Sequence, residues 1–283
     1  MKWRRKDACP VPDHRPRRMK VDPMVEIVSR IAGRRIVVPT RLSAPGRAEL
    51  SRQLYKVHQR IFAGVSFEEF RRHVVDAPAE ATVIQLYLAG DGQIIGYCAY
   101  HRFRRRVQGR DVIVLRAEAG LLPEYRGRGA AYGFGMIRAA AEKIRNPFTP
   151  IYFLGTLVHA SSYHLFCKYF SQVFPHPVRE TPARIQEIAR ALIDSFPDPP
   201  VNDSDPLVRD VGWVTIETPQ ERALNRRGDR GDVQFFKARN PGYTKGDGLV
   251  VVVPITVGNL VTAFVSRLLE LARIALRRRQ TGL

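Results

Sequence analysis

A basic, glycine-containing segment holds the residue types that are best suited to chemistry in this sequence. It reads Pro-Glu-Tyr-Arg-Gly-Arg-Gly-Ala-Ala over residues 123–131, between a β-type apolar run and an apolar run of helical period. Backbone N–H groups at a helix N-terminus converge on an anion, and glycine lets a diphosphate approach the backbone without a Cβ in the way. Arg126 and Arg128 add cationic donors. The segment therefore predicts a phosphate-binding loop at a helix start.

A single carboxylate lies inside the β-type run before this loop. Glu118 stands between Arg116 and Gly120, and a carboxylate inside a strand is costly unless it is paired or functional. One interpretation is that Glu118 is a general base. Burial would then have to raise its pKa for it to work well near neutral pH. The other is an ion pair with Arg116 on a solvated face, because residues two apart in a strand point the same way.

The elements that would position these residues follow from hydrophobic periodicity and turn signals. Gly90-Asp91-Gly92 joins two β-rich runs as a hairpin, and a third β-rich run ends at the glycine-containing loop. Ser66, with Glu69 three residues later, predicts a capping box. The predicted order is a strand at 35–39, helices at 44–62 and 66–75, strands at 81–89, 93–103 and 111–122, a helix at 129–144, a strand at 150–157 and a helix at 160–170.

The chain as a whole predicts one domain with extended ends. The predicted parts are a basic N-terminal arm at 1–34, a core at 35–178, a C-terminal part at 179–256 whose extra strands complete the sheet, and a basic amphipathic helix at 257–283. Within the C-terminal part, the patterns predict a helix at 184–196 and strands at 232–238 and 249–253.

The last predicted helix carries an apolar stripe. Its members are Val257, Leu260, Val261, Phe264, Val265, Leu268, Leu271, Ala272 and Ala275, and Arg267, Arg273 and Arg277 lie outside it. The uncharged run 249–266 approaches the length of a membrane span, but Pro254, Gly258 and Asn259 interrupt it. We expect the stripe to pack on the protein's own core, with an anionic membrane surface as the alternative partner.

Arg126, Gly129 and Ala131 match a known family motif: Arg or Gln, two residues, Gly, one residue, then Gly or Ala. With the strand before it and the helix after it, the segment resembles the Gcn5-related N-acetyltransferase (GNAT) superfamily over roughly residues 35–175. The resemblance implies an α/β (α+β) fold with a mixed, mostly antiparallel twisted sheet that splays after the third meander strand. The pantetheine arm of an acyl donor would lie in the split and bond to the backbone of Leu121 and Leu122. The diphosphate would bind Arg126, Gly127, Arg128, Gly129, Ala130 and Ala131.

The resemblance is less complete at the catalytic acid. The family pattern places His159 where an Asn usually opens the next helix, and Phe166 where a Tyr usually protonates the leaving thiolate. Tyr163, one turn earlier, is the candidate acid, with Tyr169 as an alternative. Cys167 is disfavoured as a nucleophile, because the family transfers directly and a lone buried Cys is usually inert. The family often uses a carboxylate at the position of Glu118 as the base.

The resemblance implies an N-acyltransferase that moves an acyl group from acyl-CoA or acyl carrier protein to a primary amine, a small molecule rather than a protein. Segment 61–66 with Phe70, and Phe235-Phe236 followed by segment 240–243, look somewhat like the long-chain N-acyl amino acid synthase branch, so a long-chain acyl group is the finer expectation. Two alternatives stay open. One is a non-enzymatic acyl-CoA-binding or regulatory protein, and the other is an acyltransferase acting on a protein lysine or an RNA-bound amine.

Composition limits the partners. Forty-six Lys and Arg against 27 Asp and Glu give a net charge of +19, which favours anionic partners. Arginines around a predicted hairpin tip, namely Arg102, Arg104, Arg105, Arg106 and Arg110, would suit an acidic carrier protein; nucleic acid is not expected. Three scattered cysteines predict neither a disulfide framework nor a zinc site, and no other metal-ligand pattern is visible. A cytoplasmic location is expected.

Overall fold

The computed structural model describes residues 30–126, 130–228 and 230–280, except the side chains of Ala130, Leu224, Arg226, Arg227 and residues 277–280. The strands are β1 (Gly33–Val37), β2 (Phe62–Ala63), β3 (Ala81–Leu88), β4 (Ile94–Val107), β5 (Arg110–Leu121), β6 (Ile151–Leu157), β7 (Val208–Asp210), β8 (Val214–Thr215) and β9 (Asp247–Pro254). The helices are α1 (Ala44–His58), α2 (Phe67–Val74), α3 (Ala130–Arg145), α4 (Ala160–Tyr169), α5 (Ala183–Ile193), α6 (Pro219–Arg227), α7 (Gly231–Arg239) and α8 (Val257–Gln280). Most of the predicted N-terminal arm lies outside the described residues.

The three-strand meander is confirmed. Asp91 and Gly92 turn the chain between β3 and β4, where Gly92 has a φ of +79° and the Gln93 amide donates to Asp91 Oδ1 at 3.0 Å. Gln108 and Gly109 both have positive φ between β4 and β5, as a tight hairpin turn requires. The predicted capping box is also present, with Ser66 and Glu69 bonding each other's backbone amides at the start of α2.

The main sheet is mixed and mostly antiparallel, as expected. Its strand order is β1-β3-β4-β5-β6-β9-β7, and among these described strands only β5 and β6 pair in parallel. That pairing covers just residues 113–115 against 151–153. Beyond it, β5 continues to Leu121 paired with β4 alone, and β6 continues to Leu157 paired with β9 alone. The sheet therefore splits between β5 and β6.

Helices cover both faces of the sheet. The α1 and α2 helices pack on the face that carries Tyr97, where the rings of Phe70 and Tyr97 lie 5.9 Å apart. On the other face, Phe134 of α3 contacts the Tyr100 ring, and Phe166 of α4 stacks on Phe153 of β6 at 5.1 Å. The split is thus bordered by α1 and α2 on one side and by α3 and α4 on the other.

The predicted strand at 232–238 is wrong, because this segment forms helix α7. Phe236 is fully buried, and Phe235 and Phe236 both pack against the ring of Tyr163 on α4. The Asp232 carboxylate accepts a bond from the Val233 amide in the first turn. The strand predicted at 249–253 is confirmed as the centre of β9, and β9 and β7 extend the sheet beyond β6.

The structure of helix α8 corrects the expectation that its apolar stripe packs on the protein's own core. Leu260 is buried, but Val257, Val261, Phe264, Val265, Leu268 and Leu271 are exposed. The face that packs on the protein is formed by Asn259, Leu260 and Ala263, so most of the predicted stripe points to solvent. No helix within the described residues is both long and apolar enough to cross a membrane.

Candidate active site

The split in the sheet has backbone hydrogen-bonding groups on both walls. The Leu122 amide donates to the Ile95 carbonyl of β4 at 2.9 Å, so the alternate residues Ala117, Ala119 and Leu121 direct their amides and carbonyls away from β4. Across the gap, β6 pairs with β9 through its other edge. An extended chain of alternating amide groups, such as a pantetheine arm, could bond to these walls as an added strand does.

We call residues 123–131, the predicted diphosphate-binding segment, the donor loop. Arg126 is the one arginine of this loop whose side chain the structure describes. Its Nε donates to the Leu121 carbonyl at 3.0 Å, and its Nη1 donates to the Ile216 carbonyl at 3.0 Å and to the Glu221 carboxylate at 2.9 Å. Its Nη2 is buried without a hydrogen-bond partner among the described residues. A buried guanidinium nitrogen in this state has capacity for an anionic oxygen.

The other predicted donor residues flank Arg126 on both sides. Gly127, Arg128 and Gly129 lie outside the described residues, as does the Ala130 side chain, whereas Ala130 and Ala131 open helix α3. Both backbone groups of Leu122 already have protein partners, because its carbonyl accepts the Tyr125 amide at 2.9 Å. The prediction for Leu122 therefore has less support than the prediction for Leu121, whose amide faces the split and whose carbonyl accepts from Arg126.

Glu118 lies in a line of three polar side chains that crosses β3, β4 and β5. Its Oε2 is 2.7 Å from His101 Nε2, and His101 Nδ1 is 2.9 Å from the Thr82 hydroxyl. The His101 side chain is 1% exposed and that of Glu118 is 17% exposed. This line fixes the carboxylate on the same sheet face as α1 and α2, beside the split.

The electrostatics of Glu118 correct two expectations. Burial pushes the pKa of Glu118 up, but the contact with His101 and the charges of Arg116 and His73 outweigh it and hold the pKa below its usual value. Arg116 does not pair with Glu118; its Nη2 is 2.9 Å from Asp198 Oδ2, and its guanidinium lies over the Phe196 ring. Glu118 is therefore ionised at neutral pH, instead of having the raised pKa that we expected of a base.

Tyr163 lies on the other sheet face, and its hydroxyl is already engaged. The side chain is fully buried, and the hydroxyl donates to the Pro175 carbonyl at 2.9 Å. Burial raises the pKa of Tyr163 above its ordinary value. Cys167 is partly buried, and its surroundings raise the thiol pKa to about 11, so little thiolate is present at neutral pH.

A cavity of about 400 Å³ opens where β6 ends. Its lining comprises Val158, His159, Val214, Thr215, Ile216, Glu217, Arg222, Tyr243 and Thr244. The carbonyl of Ile216 is the one that accepts from Arg126, so the cavity lies next to the donor loop. Its volume is within the range of small-molecule sites.

A histidine and a carboxylate meet in the wall of this cavity. His159 caps α4 by accepting the Ser161 amide on Nδ1 at 3.2 Å, and its Nε2 is 2.7 Å from Glu217 Oε1. The bond from His159 lowers the pKa of Glu217, and Asn225 donates to the same carboxylate. The Thr215 hydroxyl beside them is buried without a partner among the described residues. The wall therefore offers both a negative charge and an unused polar group.

Sequence reasoning missed Glu217 and Asn225, because they lie in a segment without clear periodicity. Their proximity to His159 depends on residues 61–63 pairing with 214–216, a contact made by only two short strands. His101 and His159 were visible as histidines, but their partners are distant in sequence. Within the described residues, no group of three or more His, Cys, Asp or Glu side chains could hold a metal ion.

Comparisons with known proteins give limited similarity. No family model matches the chain, and no curated protein matches it. A probable N-acyltransferase of unknown function from Enterococcus faecalis is 13% identical with a TM-score of 0.35, over 50% of this chain and 33% of that chain. A GNAT family N-acetyltransferase from Escherichia coli in complex with CoA is 18% identical with a TM-score of 0.29, over 44% of this chain and 62% of that chain.

A third similar structure is the ribosomal-protein-S18-alanine N-acetyltransferase from Escherichia coli. It is 12% identical with a TM-score of 0.32, over 80% of this chain and 96% of that chain. The chain thus spans about a third of the first of these proteins and about three fifths of the second. Identities and TM-scores this low carry no argument about activity.

Proposed function

We propose that the protein is an N-acyltransferase that moves an acyl group from acyl-CoA or acyl carrier protein to a primary amine. The observation that carries the proposal is the split between β5 and β6, whose walls direct backbone groups into the gap and not toward a paired strand. The start of α3 and the spare nitrogen of Arg126 at one end of the split suit a diphosphate. Glu118 beside the split supplies a carboxylate at the place where an amine would attack.

In the proposed reaction, the amine attacks the thioester carbonyl directly. As the C–N bond forms, the nitrogen becomes acidic, and its proton passes to the Glu118 carboxylate. The C–S bond then breaks, and the thiolate leaves and takes up a proton. Backbone amides of the β5 wall would stabilise the carbonyl oxygen as it gains negative charge. A low pKa makes Glu118 a weak base, but it keeps the carboxylate ionised for this step.

A second group must supply the proton for the departing thiolate. Tyr163 stays our prediction for this acid, because its helix α4 packs on the sheet face opposite Glu118. To act, its hydroxyl would have to exchange the Pro175 carbonyl for the sulfur. Thiolates of coenzyme A are stable enough to leave without full protonation, so the reaction tolerates a poor acid here.

The cavity beside His159 supports a small polar amine as the acceptor. An ammonium group would be attracted to the ionised Glu217, and the Arg222 guanidinium in the lining would suit a carboxylate on the same molecule. The apolar lining at Val158, Val214 and Ile216 leaves room for an acyl chain, and a long chain stays our finer expectation. The cytoplasm stays the expected compartment.

A second function is favoured by one observation. Phe166 stands where the resembling family usually has a Tyr, and the nearby Tyr163 hydroxyl is engaged. A protein that binds acyl-CoA without turning it over would keep the split and lose the acid. Donor binding without thiol release would identify this case.

The test is a donor screen with purified protein. Binding of acetyl-CoA, octanoyl-CoA and palmitoyl-CoA is measured by calorimetry, and thiol release is followed with a pool of amines and amino acids. The proposal predicts binding of at least one donor and amine-dependent thiol release. Glu217→Gln is the variant for the acceptor step: it should raise the KM for the amine and leave donor binding unchanged. A rate of thiol release that does not depend on the amine would contradict acyl transfer to an amine.

A further inference from the structure

Helix α8 is attached to the protein through one narrow face. Asn259 is 2% exposed; its amide donates to the carbonyls of Gln172 at 3.0 Å and Pro254 at 2.9 Å, and its Oδ1 accepts from the Gln172 amide at 3.0 Å. Ala263 is fully buried one turn later. Farther along, Arg267 donates to the Tyr169 hydroxyl at 2.9 Å, and Glu270 pairs with Lys168. These contacts fix which side of the helix faces away.

The opposite side of α8 is apolar and faces solvent. Nine of the sixteen large apolar side chains that are exposed in the described part of the chain lie on this helix. They are Val257, Val261, Phe264, Val265, Leu268, Leu269, Leu271, Ile274 and Leu276. Clustered exposed apolar residues of this kind mark an interaction surface. Ile274 follows Arg267 and Glu270 on the attached side of the helix. We call the other eight residues the α8 stripe.

The charges on the helix identify what would cover the stripe. The sequence of α8 contains five arginines, at 267, 273, 277, 278 and 279, and one acid, Glu270, which is already bonded to Lys168 and Arg267. Arginines follow the stripe to its C-terminal end. A large hydrophobic face, flanked by arginines and nearly free of acids, is the pattern of a helix that lies in the interface of an anionic bilayer.

We propose that the α8 stripe inserts into the surface of an anionic lipid bilayer and holds the protein on the membrane. Because the opposite face of α8 is bonded to α4 and to Pro254, only the stripe is available to lipid, and the helix lies along the surface. The basic sequence at 277–279 adds attraction to an anionic bilayer. This proposal stands independently of the acyl-transfer reaction.

A second copy of the chain is a poorer occupant of the stripe. Pairing two α8 helices would bring two sets of five arginines together, on molecules that each carry a net charge of +19. Like charges at that density oppose association. An anionic bilayer instead attracts both the helix and the rest of the molecule.

The proposed membrane contact lies close to the donor loop. The ring of Tyr132, in the first turn of α3, is 4.6 Å from the ring of Tyr169. Tyr169 in turn bonds to Arg267 on α8. Two side chains therefore connect the start of α3 with the membrane-facing helix. A bilayer under α8 would lie next to the entrance of the split, within reach of an amphipathic substrate.

The test is flotation of the purified full-length chain with vesicles. We compare vesicles of phosphatidylcholine with vesicles that also contain phosphatidylglycerol. Leu268→Glu places a charge in the stripe at a residue that is 64% exposed, and Ile144→Glu is the matched control on α3, at a residue that is 79% exposed. Both add one negative charge and neither removes a buried side chain, so both variants should fold, which circular dichroism verifies.

The proposal predicts that the unchanged chain floats with the anionic vesicles and less with the neutral ones. Leu268→Glu should weaken binding by at least about tenfold, whereas Ile144→Glu should stay within roughly twofold. Equal losses in the two variants would mean that net charge alone drives binding, and would overturn the proposal. No binding by the unchanged chain would overturn it too. So would a dimer in sedimentation that Leu268→Glu converts to a monomer without any vesicle binding.

Discussion

At the end of β5, a buried carboxylate stays ionised because its neighbours compensate for the loss of water. His101 contacts Glu118 directly, Thr82 holds the far side of the imidazole, and Arg116 adds a more distant positive charge. Such a line of polar side chains is stable only when every member has a partner. Substitution of one member should therefore affect the function and the stability of the others.

Glu118→Gln tests the base. The amide has nearly the shape of the carboxylate but cannot take a proton, so kcat should fall by about 10²–10⁴-fold. Donor affinity measured by calorimetry should change little, because the donor contacts lie on the β5 backbone and at Arg126. Unchanged turnover in Glu118→Gln would remove Glu118 from the mechanism and leave the donor site in place.

Arg126→Gln tests the donor end of the same site. A neutral side chain in place of the guanidinium loses the charge-assisted bond to a diphosphate oxygen, so affinity for acyl-CoA should fall by about tenfold or more. Affinity for an acyl-pantetheine without the diphosphate should change little. Equal losses for both ligands would show that Arg126 acts by holding Ile216 and Glu221 in place.

His58 predicts a pH dependence of stability. It is 1% exposed among Phe62, Phe70 and Trp213, with its Nδ1 2.9 Å from the Tyr97 hydroxyl, and burial lowers its pKa to about 4. Between pH 6.5 and about 4 the unfolded chain binds a proton that the folded chain does not. Stability should therefore fall as the pH is lowered through this window, by roughly 3 kcal/mol in total from this residue.

Chemical denaturation at several pH values measures this effect. His58→Gln should lower the slope of unfolding free energy against pH by about one proton between pH 6.5 and 4. His176, which is partly exposed, provides the matched comparison, and His176→Gln should change the slope much less. A slope unchanged in His58→Gln would show that His58 is not held neutral by burial.

At the scale of elements, α8 depends on a polar anchor at its start. Asn259→Ala would leave the Gln172 amide and two carbonyls without their partner in a buried site, at a cost of roughly 2–3 kcal/mol. Thr262→Ala on the same helix is the control, because the Thr262 hydroxyl bonds only the Gly258 carbonyl one turn back. Urea denaturation of the two variants should separate them; equal stabilities would mean that Asn259 does not fix α8.

Elements with local signals could be predicted from the sequence, and elements decided by distant contacts could not. The hairpin at Gly90 to Gly92 and the capping box at Ser66 are encoded within a few residues, and both are present. Residues 232–238 have β-type composition, yet they form α7 because Phe235 and Phe236 pack on α4. Periodicity also found the α8 stripe, but periodicity alone cannot tell whether an apolar face meets the core or solvent.

The residues of the candidate site also divide into those that local sequence predicts and those that only distant contacts bring together. Arg126, Leu121 and Glu118 could be named from the sequence, because they lie on or beside one recognisable strand and loop. The pairing of Arg126 with Glu221, and of His159 with Glu217, joins residues 95 and 58 positions apart. No local pattern encodes those contacts. They depend on the crossing of residues 213–217 over the end of the split.

At the scale of the whole molecule, the positive charge predicts how an acidic carrier protein would be used as donor. Arg106 and Arg110 are exposed at the β4–β5 turn, whereas Arg102 is engaged with Glu80 and Glu142. With an acyl carrier protein as donor, the pair Arg106→Glu and Arg110→Glu should lower kcat/KM by about tenfold at low salt. With acyl-CoA, kcat/KM should stay within about twofold.

The control for charge alone is the pair Arg34→Glu and Arg35→Glu on the edge strand β1, where both side chains are exposed. It changes the net charge equally and should leave the carrier-protein rate nearly unchanged. If both pairs of variants reduce that rate alike, the attraction is spread over the whole surface and the β4–β5 turn is not a docking site.

The central claim, that the split between β5 and β6 holds the donor, is tested most directly by hydrogen exchange. Amide exchange of Ala117, Ala119 and Leu121 is measured with and without saturating CoA, alongside the amides of β3, which face other strands. We predict that CoA slows exchange at the three β5 amides and leaves β3 unchanged. CoA binding with no added protection at these amides would contradict the claim.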